Sequence, residues 1–315
     1  MLVTDLKSKI DKSIIAAIGN TPLVKLQNIT GHLPMGIEIW VKMESHNPGG
    51  SVKDRPARQM ILDGLESGAL THDKVILDST SGNTGIALAL LGSALGFKVE
   101  LVMPANVSQE RKSKVKAYGA DVVYSSPLEG SDGAIIKARE IYESDKAKYF
   151  KPDQYNNPSN PKAHYLTTGP EIWEQTKGRV SHFVATIGTS GTIMGTGRFL
   201  KEKNPDIQII AAEPDDAFHG LEGLKHMESS LVPGIFHKEK LDRIIPIPTE
   251  PSYEMARNLA RSEGIFPGQS AGGAVWASMH LAEELSAQGV KEAIIVSVIC
   301  DSGDKYFSKG MWDTP

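Results

Sequence analysis

"KVILDSTSGNTGIALALLGSALGF", Lys74 to Phe97, places a β-branched run, a polar turn with glycine and an apolar helical stretch in immediate succession. Strand, loop and helix in that order form the repeating unit of a parallel sheet. The apolar part, Ile86 to Phe97, is too short to span a bilayer and contains the small residues of a packed helix. The same punctuation recurs outward. "KVELVM" leads to a helix expected near Ser108 to Tyr118, and "DVVYS" to one near Gly133 to Tyr142. "HFVATIG" feeds one from about Thr192 to Lys203, "IQIIAAE" follows, and "AIIVSVI" closes the chain behind a helix from Gly272 to Leu285. The pattern predicts an α/β fold, with parallel sheets flanked by helices and length enough for two lobes sharing a cleft. Between the halves, "QYNNPSNPK" (Gln154 to Lys162) reads as a crossing segment and not as regular structure.

Charge and composition narrow the function classes. With 34 basic and 38 acidic side chains in 315 residues the net charge is −4, and no run of lysines or arginines forms a stripe for nucleic acid. The single cysteine, Cys300, reads as a buried strand thiol and excludes an intrachain disulfide framework, which fits a reducing cytoplasm. The amino-terminal "MLVTDLKSKIDK" carries acids and lacks a signal-peptide core, so neither export nor membrane attachment is expected. The nine histidines show no close metal-ligand pairing, and no metal is expected.

In open α/β sheets ligands bind at the carboxyl ends of strands, so the loops there carry the chemistry. "STSGNTG" (Ser79 to Gly85) offers hydroxyls, an amide and helix-start N–H groups to an anion such as a carboxylate. "GTSGT" (Gly188 to Thr192) has small residues and hydroxyls suited to a phosphate, and "GQSAGGA" (Gly268 to Ala274) presents Ser270. Each also satisfies the bland requirement of any strand-to-helix turn for glycine and caps. GxxxxGK[ST] and GxGxxG are both absent, which points away from nucleotides toward another phosphorylated cofactor. In "NPGGSVKDRP" (Asn47 to Pro56) a lysine, Lys53, stands before an apolar helical stripe at Ala57, Met60, Ile61 and Leu65 that ends at Gly68. Ser51 or Asp54 can cap that helix, and the positive end of its dipole disfavours an ammonium. Lys53 is then either a neutral amine fit for a Schiff base or a solvated charge.

"NPGGSVKDR", "TSGNTG", "GTSGT" and "GQSAGGA", in that order, resemble the fold type II family of pyridoxal phosphate enzymes, specifically the cysteine synthases. The similarity runs from "IGNTPLVKL" (Ile18 to Leu26) to "DSGDKYFSKGMW" (Asp301 to Trp312); "VPGIFHKEKLDR", "SEGIFPGQSAGGAV" and "ICDSGDKY" are most similar to the B type. The resemblance implies a two-domain, tryptophan synthase β-like fold. Its smaller domain would cover residues 45–157 and close over substrate, and residues 1–44 with 158–315 would form the larger, phosphate-binding domain. It implies that Lys53 holds the cofactor as an internal aldimine and removes the substrate α-proton. Asn83 would bond the ring hydroxyl; Gly188, Thr189, Ser190, Gly191 and Thr192 would bind the phosphate; Ser270 would face the pyridine nitrogen. Thr80, Ser81, Thr84 and Gln154 would hold the substrate carboxylate. A serine at the ring nitrogen leaves it neutral and favours prompt loss of a β substituent. The implied reaction is β-replacement, O-acetyl-L-serine plus sulfide giving L-cysteine through an α-aminoacrylate.

The leaving group is less fixed. Relatives that use O-phosphoserine carry a basic residue in the segment after "IIAAEP"; here "FHGLEGLKHM" places Lys225 there, with His219 and His226 near. Lys225 could take a phosphate as a point charge, or be a solvated surface lysine, the reading preferred on sequence, so O-acetylserine stands first and O-phosphoserine second. Two positions depart from the family pattern: Ser190 stands where a glycine is common, and "SAG" replaces a pair of serines. His164 matches a family position and is expected to be structural. The rival activities are those of serine or threonine dehydratases, which show histidine where this chain has Thr84, and of cystathionine β-synthase. A homodimer is implied, as is, with less support, a purely binding role toward serine acetyltransferase.

Overall fold

The computed structural model describes residues 12–80 and 82–313. The amino-terminal reading above and the Ser81 assignment lie outside the described residues. The chain builds two sheets. Strand β1 (Leu23–Lys25) pairs antiparallel with β2 (Ile37–Met43), and the chain then enters helix α1 (Asp54–Glu66). From there it lays down β3 (Val75–Ser79), α2 (Asn83–Leu95), β4 (Val99–Pro104), α3 (Gln109–Ala117), β5 (Asp121–Ser125), α4 (Gly130–Ser144) and β6 (Tyr149–Phe150). These strands form a four-stranded, all-parallel sheet in the order β5-β4-β3-β6. The return path runs through α5 (Ser159–Leu166), α6 (Thr168–Gln175), β7 (His182–Thr186), α7 (Gly191–Lys203), β8 (Gln208–Pro214), β9 (Arg243–Ile247), α8 (Thr249–Asn258), α9 (Gln269–Ala287) and β10 (Ala293–Ile299). It completes a six-stranded sheet, β1-β2-β10-β7-β8-β9, parallel except at β1.

Burial explains the order. All seven residues of β10, "AIIVSVI", are buried, as a strand covered on both faces requires, and β10 lies inside the larger sheet between β2 and β7. In the smaller sheet α1 and α2 pack their apolar residues, Ala57, Ile61, Ile86 and Leu90 among them, on Ile76, Leu101 and Met103. Helix α1 ends as its sequence predicts, just before Gly68 at φ +73°.

Two expectations need correction. The segment Gln154 to Lys162 is not irregular throughout, because α5 begins at Ser159. Pro158 sits at its N-cap and Pro161 in its first turn, where no backbone N–H is needed for the helical ladder. Nor does a side chain cap α1: Asp54 turns its carboxylate back to accept the Gly49 N–H, and Ser51 Oγ accepts the Lys53 N–H at 3.3 Å.

Candidate active site

The carboxyl ends of β3, β7 and β10 open on a cavity of about 530 Å3 between the two sheets. Helix α4 begins at its rim, with Glu129 to Asp132 in the wall, and four further helix starts carry the residues singled out in the sequence. Lys53 is the N-cap of α1, Asn83 the first residue of α2, Gly191 the first of α7, and Ser270 the second of α9. First-turn N–H groups lack helical partners, so the four starts give the cavity a positive, hydrogen-bond-donating wall.

Lys53 is held in place by its own backbone. Ser51 bridges Asp301, and Val52 N donates to the Cys300 carbonyl at 2.8 Å, so the strand-like run before Lys53 is stitched to the residues that follow β10. The half-buried side chain reaches into the cavity. Burial pulls its amine below the ordinary lysine range and Arg111 adds to the effect, against opposition from Cys300 and Asp301. Desolvation, and not the helix dipole expected from the sequence, is the main cause.

Asn83, Thr80, Thr84 and Gln154 form the wall beside it. Thr80 Oγ accepts from Gly82 N at 2.9 Å and Gly85 N at 3.1 Å, which leaves its hydroxyl proton to donate. Thr84 donates to Gln154 Oε1 at 2.7 Å and Gln154 Nε2 donates to the Ser79 carbonyl at 2.9 Å, so the Gln154 amide is oriented with one N–H left over. These donors and the free amides of α2 match a carboxylate. Gly82 is required locally: its φ is +145° and a Cβ would stand 2.3 Å from Arg111 Cδ.

The phosphate-like loop has a different logic. Gly188, Thr189 and Thr192 line the cavity, with Ser190 and Gly191 behind them. A Cβ on Gly191 would fall 1.9 Å from Asn160 Oδ1, and Asn160 Nδ2 donates to Thr189 Oγ at 3.2 Å. Ser190 sits at φ +69°, the left-handed region, which accounts physically for a glycine at this position in the family pattern. His164 is buried between Thr168 Oγ (2.9 Å) and Thr192 Oγ (3.3 Å), and burial pushes its pKa down to about 3. A neutral imidazole therefore fixes one hydroxyl of the loop.

Lys225 is not a solvated surface lysine. It is 4% exposed, its backbone N–H bonds the Ile187 carbonyl at 3.0 Å, and its ammonium pairs with Asp132 at 2.6 Å across the cavity. His219 shares the cavity wall, whereas His226 bonds Ser229 at 2.9 Å. Cys300 is also relocated: it stands one residue beyond β10, half-buried in the cavity wall, with its thiol pushed up by burial.

Arg111, Asp301, Lys305 and Tyr306 also reach the site, with no strand-to-helix loop motif that marks them. Asp301 is buried and accepts from Asn83 Nδ2 at 2.6 Å and Tyr306 OH at 2.8 Å. Arg111 donates to Tyr306 OH at 2.6 Å and Glu222 at 2.7 Å, and lies over the Tyr306 ring. The signal was present in "ICDSGDKY", whose acid, lysine and tyrosine return to the loop after β3. Among the described residues no cluster of histidine, cysteine and acids has metal-site geometry.

The arrangement of four helix starts, a depressed lysine amine and a hydroxyl-rich loop is that of a phosphorylated-aldehyde enzyme, and the chain belongs to the pyridoxal-phosphate dependent enzyme family, whose model matches residues 14–301. It is 55% identical over 305 residues to the cysteine synthase of Aquifex aeolicus (strain VF5), covering 96% of this chain and 93% of that one. It is 43% identical to cysteine synthase B of Salmonella typhimurium, covering 94% of each. The crystal structure of cysteine synthase from Entamoeba histolytica superposes with a TM-score of 0.90 at 37% identity, covering 96% of this chain and 91% of that one. Pyridoxal phosphate is the cofactor. The residues present fit it: a buried amine, a polar loop at a helix start and an amide with defined orientation all face one cavity.

Proposed function

We propose that this cavity makes L-cysteine from O-acetyl-L-serine and sulfide, with Lys53 as the residue that holds pyridoxal phosphate. The chain is an enzyme of pyridoxal phosphate-dependent cysteine synthesis. The observation that carries the residue assignments is the convergence of the α1, α2, α7 and α9 starts on one cavity with a burial-depressed amine.

Bound pyridoxal phosphate supplies an electron sink that acidifies the substrate Cα–H and lets the β substituent depart. Thr189 and Thr192 bind the phosphate through hydroxyls, and Gly188, Ser190 and Gly191 through the backbone of the loop that opens α7. Asn83 meets the ring oxygen, and the Ser270 hydroxyl meets the ring nitrogen. Thr80, Thr84 and Gln154 hold the carboxylate, the first and last by the N–H and O–H groups left over after their internal bonds. Lys53 Nζ takes the Cα proton, a task that needs a neutral amine and is served by desolvation. The Lys225 charge is already matched by Asp132, so the leaving-group side offers no unpaired cation and suits an acetate better than a phosphate dianion. Residues 45–157 act as the smaller, closing domain against 1–44 and 158–315. The protein works as a cytoplasmic homodimer; among the described residues no helix is long and apolar enough to cross a membrane.

Borohydride reduction of the holoenzyme followed by peptide mapping places the pyridoxyl group on Lys53, and Lys53→Ala loses turnover by roughly 10²- to 10⁴-fold. A label on another lysine overturns the assignment. With sulfide, O-acetylserine outperforms O-phosphoserine, and both outperform serine with homocysteine. Asp132→Asn shifts the ratio of kcat/KM values toward O-phosphoserine by roughly tenfold, the effect of unmasking one buried cation.

A further inference from the structure

Lys305 is a buried lysine with no part in the steps above. It is 3% exposed and lies in the turn after β10. Its ammonium donates to the Gly50 carbonyl at 2.7 Å and to Asn83 Oδ1 at 2.9 Å. The other end of the same amide, Asn83 Nδ2, donates to Asp301 Oδ2 at 2.6 Å. Both partners constrain the amide: an ammonium can only donate and a carboxylate can only accept, so Asn83 cannot be flipped without setting like against like at both ends. What the amide then offers the cavity is its second N–H. Gly50, meanwhile, belongs to the loop that ends at Lys53, so one ammonium ties the lysine-bearing loop to the start of α2. Ser108 Oγ holds Lys305 from behind by donating to its carbonyl at 3.0 Å.

We propose that Lys305 is a positioning residue: by clamping Asn83 Oδ1 and Gly50 O together, it makes Asn83 a hydrogen-bond donor toward the cofactor ring oxygen and so favours that oxygen in its anionic form. The inference rests on the reading of Asn83 given above. A lysine in this place supplies two charge-assisted bonds from a single atom, stronger than neutral ones, and adds a positive charge behind the anionic oxygen.

The test uses holoenzyme of the wild type, Lys305→Met, Lys305→Gln and Lys305→Arg at neutral pH. Two quantities are read: the equilibrium release of cofactor on dialysis, and the distribution of absorbance between the bands of the anionic and neutral ring oxygen. Lys305→Met is expected to release cofactor about tenfold more readily, the loss of one charged hydrogen bond, and to move absorbance toward the neutral form. Lys305→Arg restores most of both, and Lys305→Gln, which keeps N–H donors without the charge, falls between. Wild-type spectra and retention in folded Lys305→Met overturn the proposal. Should Lys305→Met fail to fold by circular dichroism, the Gln and Arg pair decides, and wild-type behaviour in Gln overturns it equally. If the wild type itself carries its pyridoxyl group away from Lys53, the functional reading fails; if that label is on Lys53 and the variants are unchanged, only the role of Lys305 fails.

Discussion

At the level of single residues, the neighbourhood of Lys53 is dominated by groups whose charge is suppressed by burial. Asp54, next in sequence, is 1% exposed, and burial pushes its carboxyl up to about 7 from an ordinary 3.8, against the Gly49 N–H and the nearby Lys305. Its folded pKa exceeds its unfolded one, so the folded state holds a proton between those values that the unfolded chain gives up. The contribution of this group to stability is therefore fully present below pH 3.8 and is lost as the pH rises through 7. Asp54→Asn keeps the shape and the acceptor for Gly49 while removing the titration. Denaturant unfolding from pH 4 to 8 is expected to show a slope in the wild type that the variant lacks, and at pH 8 the variant gains on the order of 4 kcal/mol relative to the wild type. Equal slopes in the two proteins contradict the assignment. His164 behaves in the opposite sense: its pKa falls to about 3 from 6.5, so its contribution is lost as the pH drops from 6.5 toward 3.

At the level of elements, the loops after strands do the functional work, and their backbone shapes explain where the chain departs from its relatives. Ser190 occupies the left-handed region between β7 and α7, with φ +69° and its Oγ spent on the preceding Thr189 carbonyl. A side chain there is strained by about 1–2 kcal/mol. Glycine removes the strain but loses about 0.5–1 kcal/mol to its greater freedom when unfolded. Ser190→Gly is therefore expected to stabilise the protein by roughly 0.5–1 kcal/mol, seen as a Tm raised by a degree or a few, with cofactor retention undiminished. A lower Tm would mean that the Ser190 hydroxyl bond outweighs the backbone strain. The order of the β-branched runs was readable from Lys74 onward because β3, β4, β7, β8 and β10 are buried along most of their length, which leaves continuous apolar runs between glycine-bearing loops. The short β6, at two residues, and α5, opened by two prolines, leave no such trace, since their positions are set by contacts with distant segments.

At the level of the whole molecule, the cavity is closed by pairs that join the two sheets and that no local pattern encodes. Lys53, Asn83, Ser270 and the Gly188 to Thr192 loop were legible because strand-to-helix loops have their own motifs. The environment of Lys225 was not, because Asp132 lies 93 residues away and the two meet only once the sheets face each other. The same holds for Glu222, which pairs with Arg111 at 2.7 Å and Lys309 at 2.6 Å and whose N–H bonds Gln269 at 3.0 Å. Arg111 lies in α3, against Gly82 of "STSGNTG", so in the proposed closing motion Glu222 would tie that side of the cavity, as a latch, to the floor built on α9. Its carboxylate is partly open to solvent, and each pair is therefore worth modest energy, about 0.5–1 kcal/mol. Glu222→Gln removes both pairs and keeps the backbone bond to Gln269. The variant is expected to raise KM for the amino-acid substrate by roughly three- to tenfold and to change kcat less, because closure is harder while the reacting groups stay in place. Its unfolding midpoint stays near that of the wild type, since Arg111 retains Tyr306 and lies 3.8 Å from Asp301. Adding salt should narrow the difference in KM, as screening weakens the wild-type latch. A variant with unchanged KM at low salt would show that closure is held elsewhere, and a kcat reduced as much as kcat/KM would place Glu222 in the chemistry and not in the motion.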